Sequence, residues 1–271
     1  MTADPDGCSL LLVGCGKMGG AMLEGWLAAG TVGRVAVVEP GGDVPGHRVV
    51  TRFGQAGDVP ADFEPDVVLF AVKPQAMDAV VPDYARFAKP GTVFVSVAAG
   101  KTIGYFEDRL GATAAVVRAM PNTPASVGRG MTVGCPNRHV SDGQRDLAER
   151  LLSAVGEVAW VEDESAMDAV TAVSGSGPAY VFLLIEAMAE AGRRAGLPDD
   201  LAMRLARSTV AGSGELVHRS PLPADQLRRN VTSPGGTTQA ALDVLMAADG
   251  LQPLMDRAVE AAARRSRELA S

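Results

Sequence analysis

Two short segments of this chain carry residue types at spacings suited to chemistry, and each would hold an anion. The first, Val13-Gly14-Cys15-Gly16-Lys17-Met18-Gly19, follows an apolar run and leads into the helical pattern Ala21-Met22-Leu23-Glu24-Gly25-Trp26-Leu27. Its glycines suit a tight turn, close approach of a pyrophosphate, and tight packing of helix on strand. The second, Ser233-Pro234-Gly235-Gly236-Thr237-Thr238, stands just ahead of Ala240-Ala241-Leu242. It reads as a small turn opening a helix, with backbone N–H groups and two hydroxyls aimed at one spot. The first N–H groups of a helix lack partners and carry partial positive charge, so such a mouth seats a carboxylate. A redox dinucleotide and a small-anion cradle in separate halves of one chain indicate an enzyme.

Further residues point to the dinucleotide. Glu39 ends the second apolar run about twenty residues past the fingerprint, where an acidic residue takes the ribose 2′ and 3′ hydroxyls. A carboxylate repels a 2′-phosphate, which leans the cofactor towards NADH over NADPH, although Arg48 or Arg52 nearby could accommodate the phosphate. Two more strand ends, Val72-Lys73-Pro74-Gln75 and Ala98-Ala99-Gly100, fall at the same crevice, because ligands of open parallel sheets sit at the carboxyl ends of strands. The small Ala98 and Ala99 would let a nicotinamide ring lie against the backbone. Ordinary strand–helix turns would use the same residues.

Positioning these segments takes two kinds of architecture. Up to about residue 161, short β-branched runs at 10–13, 35–38, 67–71, 93–97, 115–118, 131–133 and 158–161 alternate with helical patterns. That alternation predicts an α/β fold, a Rossmann-type sheet of parallel strands joined by right-handed crossovers. Between 41 and 66 the pattern dissolves into Gly, Pro and Asp. Beyond Trp160 the strand signal stops, and helices are predicted over 178–194, 199–217, 224–229, 238–247 and 253–269, with Ser176 as N-cap of the first. The domains are therefore drawn at 1–162 and 163–271. Val181-Phe182-Leu183-Leu184-Ile185 is apolar nearly all the way round, and some hundred residues of helix offer little to cover it. A partner subunit is the expected cover, making the helical half a dimerisation domain.

Composition narrows the class. With 271 residues, 47% of them hydrophobic and 21% charged, the chain has the make-up of a soluble globular protein. Its net charge of −7 argues against nonspecific nucleic-acid binding. Cys8, Cys15 and Cys135 form no CxxC, which favours a reduced, cytoplasmic setting, and no metal site is expected. The start, Met1-Thr2-Ala3-Asp4-Pro5-Asp6, is acidic, unlike a signal peptide. The uncharged stretch 169–185 is broken by Ser174-Gly175-Ser176-Gly177-Pro178, so no membrane span is expected.

Together with Met120-Pro121-Asn122-Thr123-Pro124 and Ser174-Gly175-Ser176-Gly177-Pro178-Ala179-Tyr180, the fingerprint, the Ala71-Val72-Lys73-Pro74-Gln75 strand end and the Pro-Gly-Gly-Thr-Thr turn closely resemble those of pyrroline-5-carboxylate reductases. Order and spacing match over essentially the whole chain. The resemblance implies a Rossmann domain, a helical domain interlocked with a second subunit, and often a ring of dimers. It implies reduction of 1-pyrroline-5-carboxylate to L-proline by NADPH or NADH. By position, the 14–19 loop would hold pyrophosphate, Val72, Lys73 and Pro74 with Ala98 and Ala99 would approach the nicotinamide, and Asn230 would face the cofactor. Gly236, Thr237 and Thr238 would take the substrate, with Glu164 a further contact. Glu39 departs from relatives that carry a small hydroxyl residue near this position and prefer NADPH.

The chemistry is coherent without the name. A cyclic imine can be protonated before it binds, so no strong acid is obligatory, and His47, His139 and His218 lie beside no motif. Amides at 236–238 would hold the carboxylate while the Thr238 hydroxyl meets the ring nitrogen, so catalysis is positioning and electrostatics. Lys73 more readily contacts ribose or solvent than donates a proton. Ser174 and Ser176 lack GxSxG and read as capping and packing residues. A β-hydroxyacid dehydrogenase would need a lysine in the second domain, but Lys17, Lys73, Lys89 and Lys101 all lie in the first. A turnover-silent cofactor-binding regulator is the other alternative.

Overall fold

The computed structural model describes residues 7–270. Eight strands form one sheet: β1 (Cys8–Val13), β2 (Val32–Val38), β3 (Val50–Phe53), β4 (Val67–Phe70), β5 (Val93–Ser96), β6 (Ala115–Met120), β7 (Gly130–Pro136) and β8 (Gly156–Trp160). Their order is β3-β2-β1-β4-β5-β6-β7-β8, so the direction of winding reverses between β1 and β4. Seven of these strands fall where alternation predicts them. The eighth, β3, lies inside the stretch without a pattern, because an edge strand reading Val-Thr-Arg-Phe is partly exposed and has no need of an apolar run.

One expectation is corrected. β7 pairs antiparallel with β6, through Val117 opposite Pro136 and Met120 opposite Val133, although it pairs parallel with β8. The connection 121–129 holds only the short turn Thr123–Val127, and a parallel return needs a crossover of a dozen or more residues. Direction was therefore decided by loop length.

Strand parity divides the core. Leu10 and Leu12 point to one face with Trp26, Val35, Val37, Leu69 and Leu151, while Leu11 and Val13 point to the other with Phe70, Phe94, Phe106 and Val116. Helices α1 (Lys17–Ala29) and α4 (Asp142–Leu152) cover the first face, and α2 (Met77–Val80) and α3 (Ile103–Leu110) bring side chains to the second. The Trp26 indole N–H, fully buried, donates to the Leu151 carbonyl at 2.7 Å, so the largest core side chain leaves no polar atom unpaired.

Contacts divide the chain into one unit running to Gly175 and resuming at Ala262, and a second spanning Ser176–Ala261. The sequence boundary at 162/163 falls earlier, for a physical reason. Met167, in the short helix α5 (Met167–Val170), is buried with Val133 and Cys135 beneath β7, which keeps 164–175 with the sheet. The end of the last helix rejoins the same unit, where the Ser266 hydroxyl donates to Asp168 Oδ1 at 2.6 Å.

The second unit holds α6 (Gly177–Arg194), α7 (Asp199–Arg219), α8 (Ala224–Asn230), α9 (Thr237–Leu245) and most of α10 (Leu251–Ala270). α6 and α7 form a hairpin in which Gly192 lies against Ala202 and Leu197; an added Cβ at Gly192 would meet them at 3.3–3.4 Å. Ser176 does not cap α6. It sits in right-handed helical backbone and accepts no capping bond, because helix continues into it through a π-turn at Thr171–Gly175. Pro178 cannot donate to the Ser174 carbonyl four residues back, and the Asn122 side-chain amide donates there at 3.4 Å instead. The glycine and proline residues therefore do not break the stretch as the sequence suggested: Glu164–Arg194 is long and apolar enough, by length and composition, to cross a membrane.

Candidate active site

The fingerprint glycines occupy three different environments. Gly14 has φ +90°, in the region that favours glycine, and a Cβ there would strike Val72 Cγ1 at 2.7 Å. A Cβ on Gly19 would overlap the Gly14 carbonyl oxygen and meet Ala71 Cβ at 3.1 Å. Gly16, between them, has nothing within 4 Å of its Cβ position. Turn, packing and open approach are thus allotted as a dinucleotide loop requires. Gly14 N–H donates to Val38 O and Ala71 N–H to Val13 O, so the ends of β1, β2 and β4 are tied at the point where the strand order reverses. α1 opens on Gly16 with no side-chain cap and no acidic residue in its first turn. A groove of about 690 Å3 lies along this mouth, lined by Cys15, Gly16, Lys17, Asp43, Val44 and Ser126 among others. These features fit a pyrophosphate.

Glu39 has partners the sequence did not reveal. Its Oε2 accepts the Cys15 N–H at 2.8 Å, and its Oε1 accepts the N–H groups of Gly41 at 3.1 Å and Gly42 at 3.0 Å. The Cys15 bond does most to hold this carboxyl below the usual range, against the effect of burial, with Gly41, Gly42 and Arg52 adding to it. Arg52 reaches the same corner, donating from Nε to Glu39 O at 3.0 Å and from a terminal nitrogen to Pro40 O at 3.3 Å.

The two other strand ends lie where the pattern put them. Val72 and the extended Lys73 precede a 3-10 turn that begins at Pro74, and Lys73 is exposed. Ala98 is buried and Ala99 exposed, with Ala98 N–H donating to Ser96 Oγ at 3.3 Å. Burial raises the Cys15 thiol pKa, as does the neighbouring charge of Glu39, and burial pushes the Cys8 and Cys135 thiols to about 11. All three thiols stay protonated at neutral pH, and none is an activated nucleophile.

Glu164, expected at the opening of the helical domain, belongs to the sheet unit. Its Oε1 accepts from Arg118 NH1 at 2.8 Å and from the Ile103 N–H at 2.8 Å. Arg118 is 5% exposed, so this pair joins β6 to the first turn of α3. Arg118 was not singled out from sequence, and Asn122 appeared there only within the Met120–Pro124 motif, with no role assigned. Asn122 bonds Ser174 with its amide and accepts the Met131 N–H at 2.9 Å, a pairing with no local signature.

In the helical unit, α9 opens on Gly236, with Gly235 at φ +70° and the Gly236 N–H returned to Ser233 O. No side chain caps α9 and its first turn holds no acidic residue, so the amides after Gly236 present a positive mouth. Thr237 is exposed and Thr238 half-buried. Asn230 closes α8 and accepts from Gln226 Nε2 at 2.7 Å. Apolar side chains of this unit lie bare: Phe182 and Leu183 on α6, and Val244, Leu245 and Met246 at the end of α9, are each more than half exposed.

Residues 164–269 match the family described as pyrroline-5-carboxylate reductase dimerisation, and residues 9–100 match NADP oxidoreductase, coenzyme F420-dependent. The first match takes in the apolar helical stretch. A pyrroline-5-carboxylate reductase from Pseudomonas aeruginosa is 41% identical over 266 residues, covering 96% of each chain, and one from Pisum sativum is 36% identical over 97% of each. The solved Coxiella burnetii enzyme superposes with a TM-score of 0.89 at 33% identity, covering 98% of this chain and 100% of its own. The Plasmodium falciparum enzyme, solved with NADP bound, gives 0.81 at 30% identity, covering 97% and 98%. With such identity sustained along nearly its full length, the chain belongs to the pyrroline-5-carboxylate reductase family.

Proposed function

We propose that this chain reduces 1-pyrroline-5-carboxylate to L-proline, the last step of proline biosynthesis, using a reduced nicotinamide dinucleotide. The observation that carries this reading is a pair of glycine-capped helix mouths in one chain, α1 and α9, each free of a side-chain cap and of first-turn acids. The first suits a pyrophosphate and the second a single carboxylate.

A bound NADH or NADPH supplies the hydride. The backbone of Gly14, Cys15, Gly16, Lys17, Met18 and Gly19 would hold its pyrophosphate, Glu39 would serve the adenosine ribose, and Val72, Lys73, Pro74, Ala98 and Ala99 would serve its nicotinamide end. Asn230 keeps the cofactor role that its place in the family implies. Thr237 and Thr238 hold the substrate carboxylate through backbone N–H groups beside Gly236, whose own N–H is taken by Ser233 O, each such charge-assisted bond contributing about 1.5–3 kcal/mol. The Thr238 hydroxyl accepts from the protonated ring nitrogen and orients the imine carbon. Glu164, anchored by Arg118, is assigned as the further substrate contact that its place in the family implies. The imine brings its own proton from water, so no side chain serves as a strong acid. Glu39 inclines the enzyme to NADH.

The bare apolar faces of α6 and α9 support a homodimer, the unit from which rings of dimers are built. Three free cysteines support a reducing cytoplasm. Steady-state oxidation of NADH and of NADPH with pyrroline-5-carboxylate tests the reading. Turnover with either supports it, whereas cofactor binding without turnover would point to the regulator, and hydride transfer to a 2-oxo or 3-oxo acid instead to the dehydrogenase.

A further inference from the structure

Ser266, in the last turn of α10, is 5% exposed on a helix whose other residues are open or half-buried. A serine inside a helix commonly returns its hydroxyl to a carbonyl of the preceding turn. This one donates instead to Asp168 Oδ1 at 2.6 Å, a charge-assisted bond between residues 98 positions apart. Three residues further on, Leu269 lies against Gly100. Gly100 has φ +77°, and a Cβ there would come within 3.1 Å of the Leu269 carbonyl oxygen. The last turn of α10 belongs to the sheet unit and so touches two segments of that same unit.

Both segments lead to Glu164. Asp168 lies four residues beyond it, one helical turn along the continuous stretch that begins at Glu164. Gly100 is followed by Lys101, by Thr102 as N-cap of α3, and by Ile103, whose N–H donates to Glu164 Oε1 at 2.8 Å. Arg118 donates to the same oxygen, and among the described residues Oε2 accepts no bond. An open groove of about 360 Å3 runs here, lined by Thr102, Arg118, Glu164, Asp168, Arg267 and Ala270 among others.

We propose that the last turn of α10 is a clamp that positions Glu164: with Ser266 on Asp168 and Leu269 on Gly100, it holds the helical segment carrying Glu164 to the loop whose Ile103 amide orients the carboxylate. One oxygen is thereby fixed and Oε2 is left for a ligand. The inference rests on the assignment of Glu164 as a substrate contact, and it makes Ser266 a positioning residue that touches no reactant.

The test is a double-mutant cycle in the full-length enzyme, Ser266→Ala against Glu164→Gln, read as the KM for pyrroline-5-carboxylate. Calorimetry measures NADH affinity and circular dichroism the fold. Ser266→Ala should raise the KM about fivefold to tenfold and leave NADH affinity within about twofold, since a displaced carboxylate weakens substrate binding alone. Ser266→Thr keeps the hydroxyl and should restore the KM. With Glu164→Gln already present, Ser266→Ala should change the KM by less than about twofold, because its effect travels through that carboxylate. Equal changes in both backgrounds would mean a general structural role and overturn the clamp. If Ser266→Ala fails to fold, Asp168→Asn decides: a neutral acceptor weakens the same bond, and an unaltered KM there would also overturn the clamp. Glu164→Gln alone tests the underlying reading: an unchanged KM removes the Glu164 assignment and the clamp with it. A raised KM in Glu164→Gln beside an unmoved Ser266→Ala keeps the assignment and sinks the clamp.

Discussion

The two helix mouths differ in what surrounds them more than in their own backbone. Both α1 and α9 start on a glycine, lack a side-chain cap and carry no acid in the first turn. The α1 mouth rests on a finished core: Met22, Leu23 and Trp26 on the same helix are fully buried, and Gly14 and Gly19 touch the end of β4. The α9 mouth belongs to a unit whose only buried hydrophobic residues, among those described, are Ala189, Ala202 and Ala206. A cofactor cradle can therefore be completed by one chain, whereas the helical cradle sits among apolar faces that a single chain leaves in water. Stable interfaces bury at least about 1,200 Å2. That asymmetry suits a helical unit that a partner subunit completes.

Breaking the cover should have the largest effect. Leu183→Glu places a charge on the bare face of α6 at a position 62% exposed in the lone chain. If a partner buries it, the cost is about 3–5 kcal/mol, enough to lower self-association more than a hundredfold. Sedimentation should show monomer with activity lost, while cofactor titration is unchanged. Retained dimer would mean that another face does the covering.

Gly19→Ala attacks the finished side. Its Cβ would overlap the Gly14 carbonyl, so the loop must shift, at a cost of about 1–3 kcal/mol read as a lower Tm. Thr238→Ala separates the mouths by function. The kcat/KM for pyrroline-5-carboxylate should fall about tenfold to a hundredfold through both KM and kcat, with cofactor affinity unaltered. A milder contrast comes from Gly16→Ala, where space is open: Tm should hold while cofactor affinity drops about tenfold, the pyrophosphate now meeting a methyl group. Smallest is Ser176→Ala, which should change stability by less than about 0.5 kcal/mol and leave kcat/KM intact, since Ser176 caps nothing. A large kinetic loss there would place Ser176 in the substrate site.

Legibility in the sequence followed the range of the forces involved. Leu10-Leu11-Leu12-Val13 and Val67-Val68-Leu69-Phe70 announce strands because both their faces are buried. Val50-Thr51-Arg52-Phe53 does not, since an edge strand needs neither face dry. The antiparallel run of β7 was in principle visible in the shortness of 121–129. The continuation of helix through Ser174-Gly175-Ser176 was not, since the Ser174 carbonyl that Pro178 cannot serve is met by Asn122, 52 residues away along the chain. At the candidate site, the glycine loops could be read from residue types alone. The partners of Glu39 and Glu164 could not.

By itself the sequence determined what local sterics and periodicity control: strands buried on both faces, helices with their apolar stripes, and glycines where the backbone must turn or be approached closely. Only tertiary structure decided where the lone pairs of the carboxylates go. Glu39 and Glu164 accept from whichever N–H groups and guanidinium the fold carries to them, across 24 and 46 residues of chain in the bonds from Cys15 and Arg118. A charge finds its partner through space, and no spacing along the chain encodes that meeting.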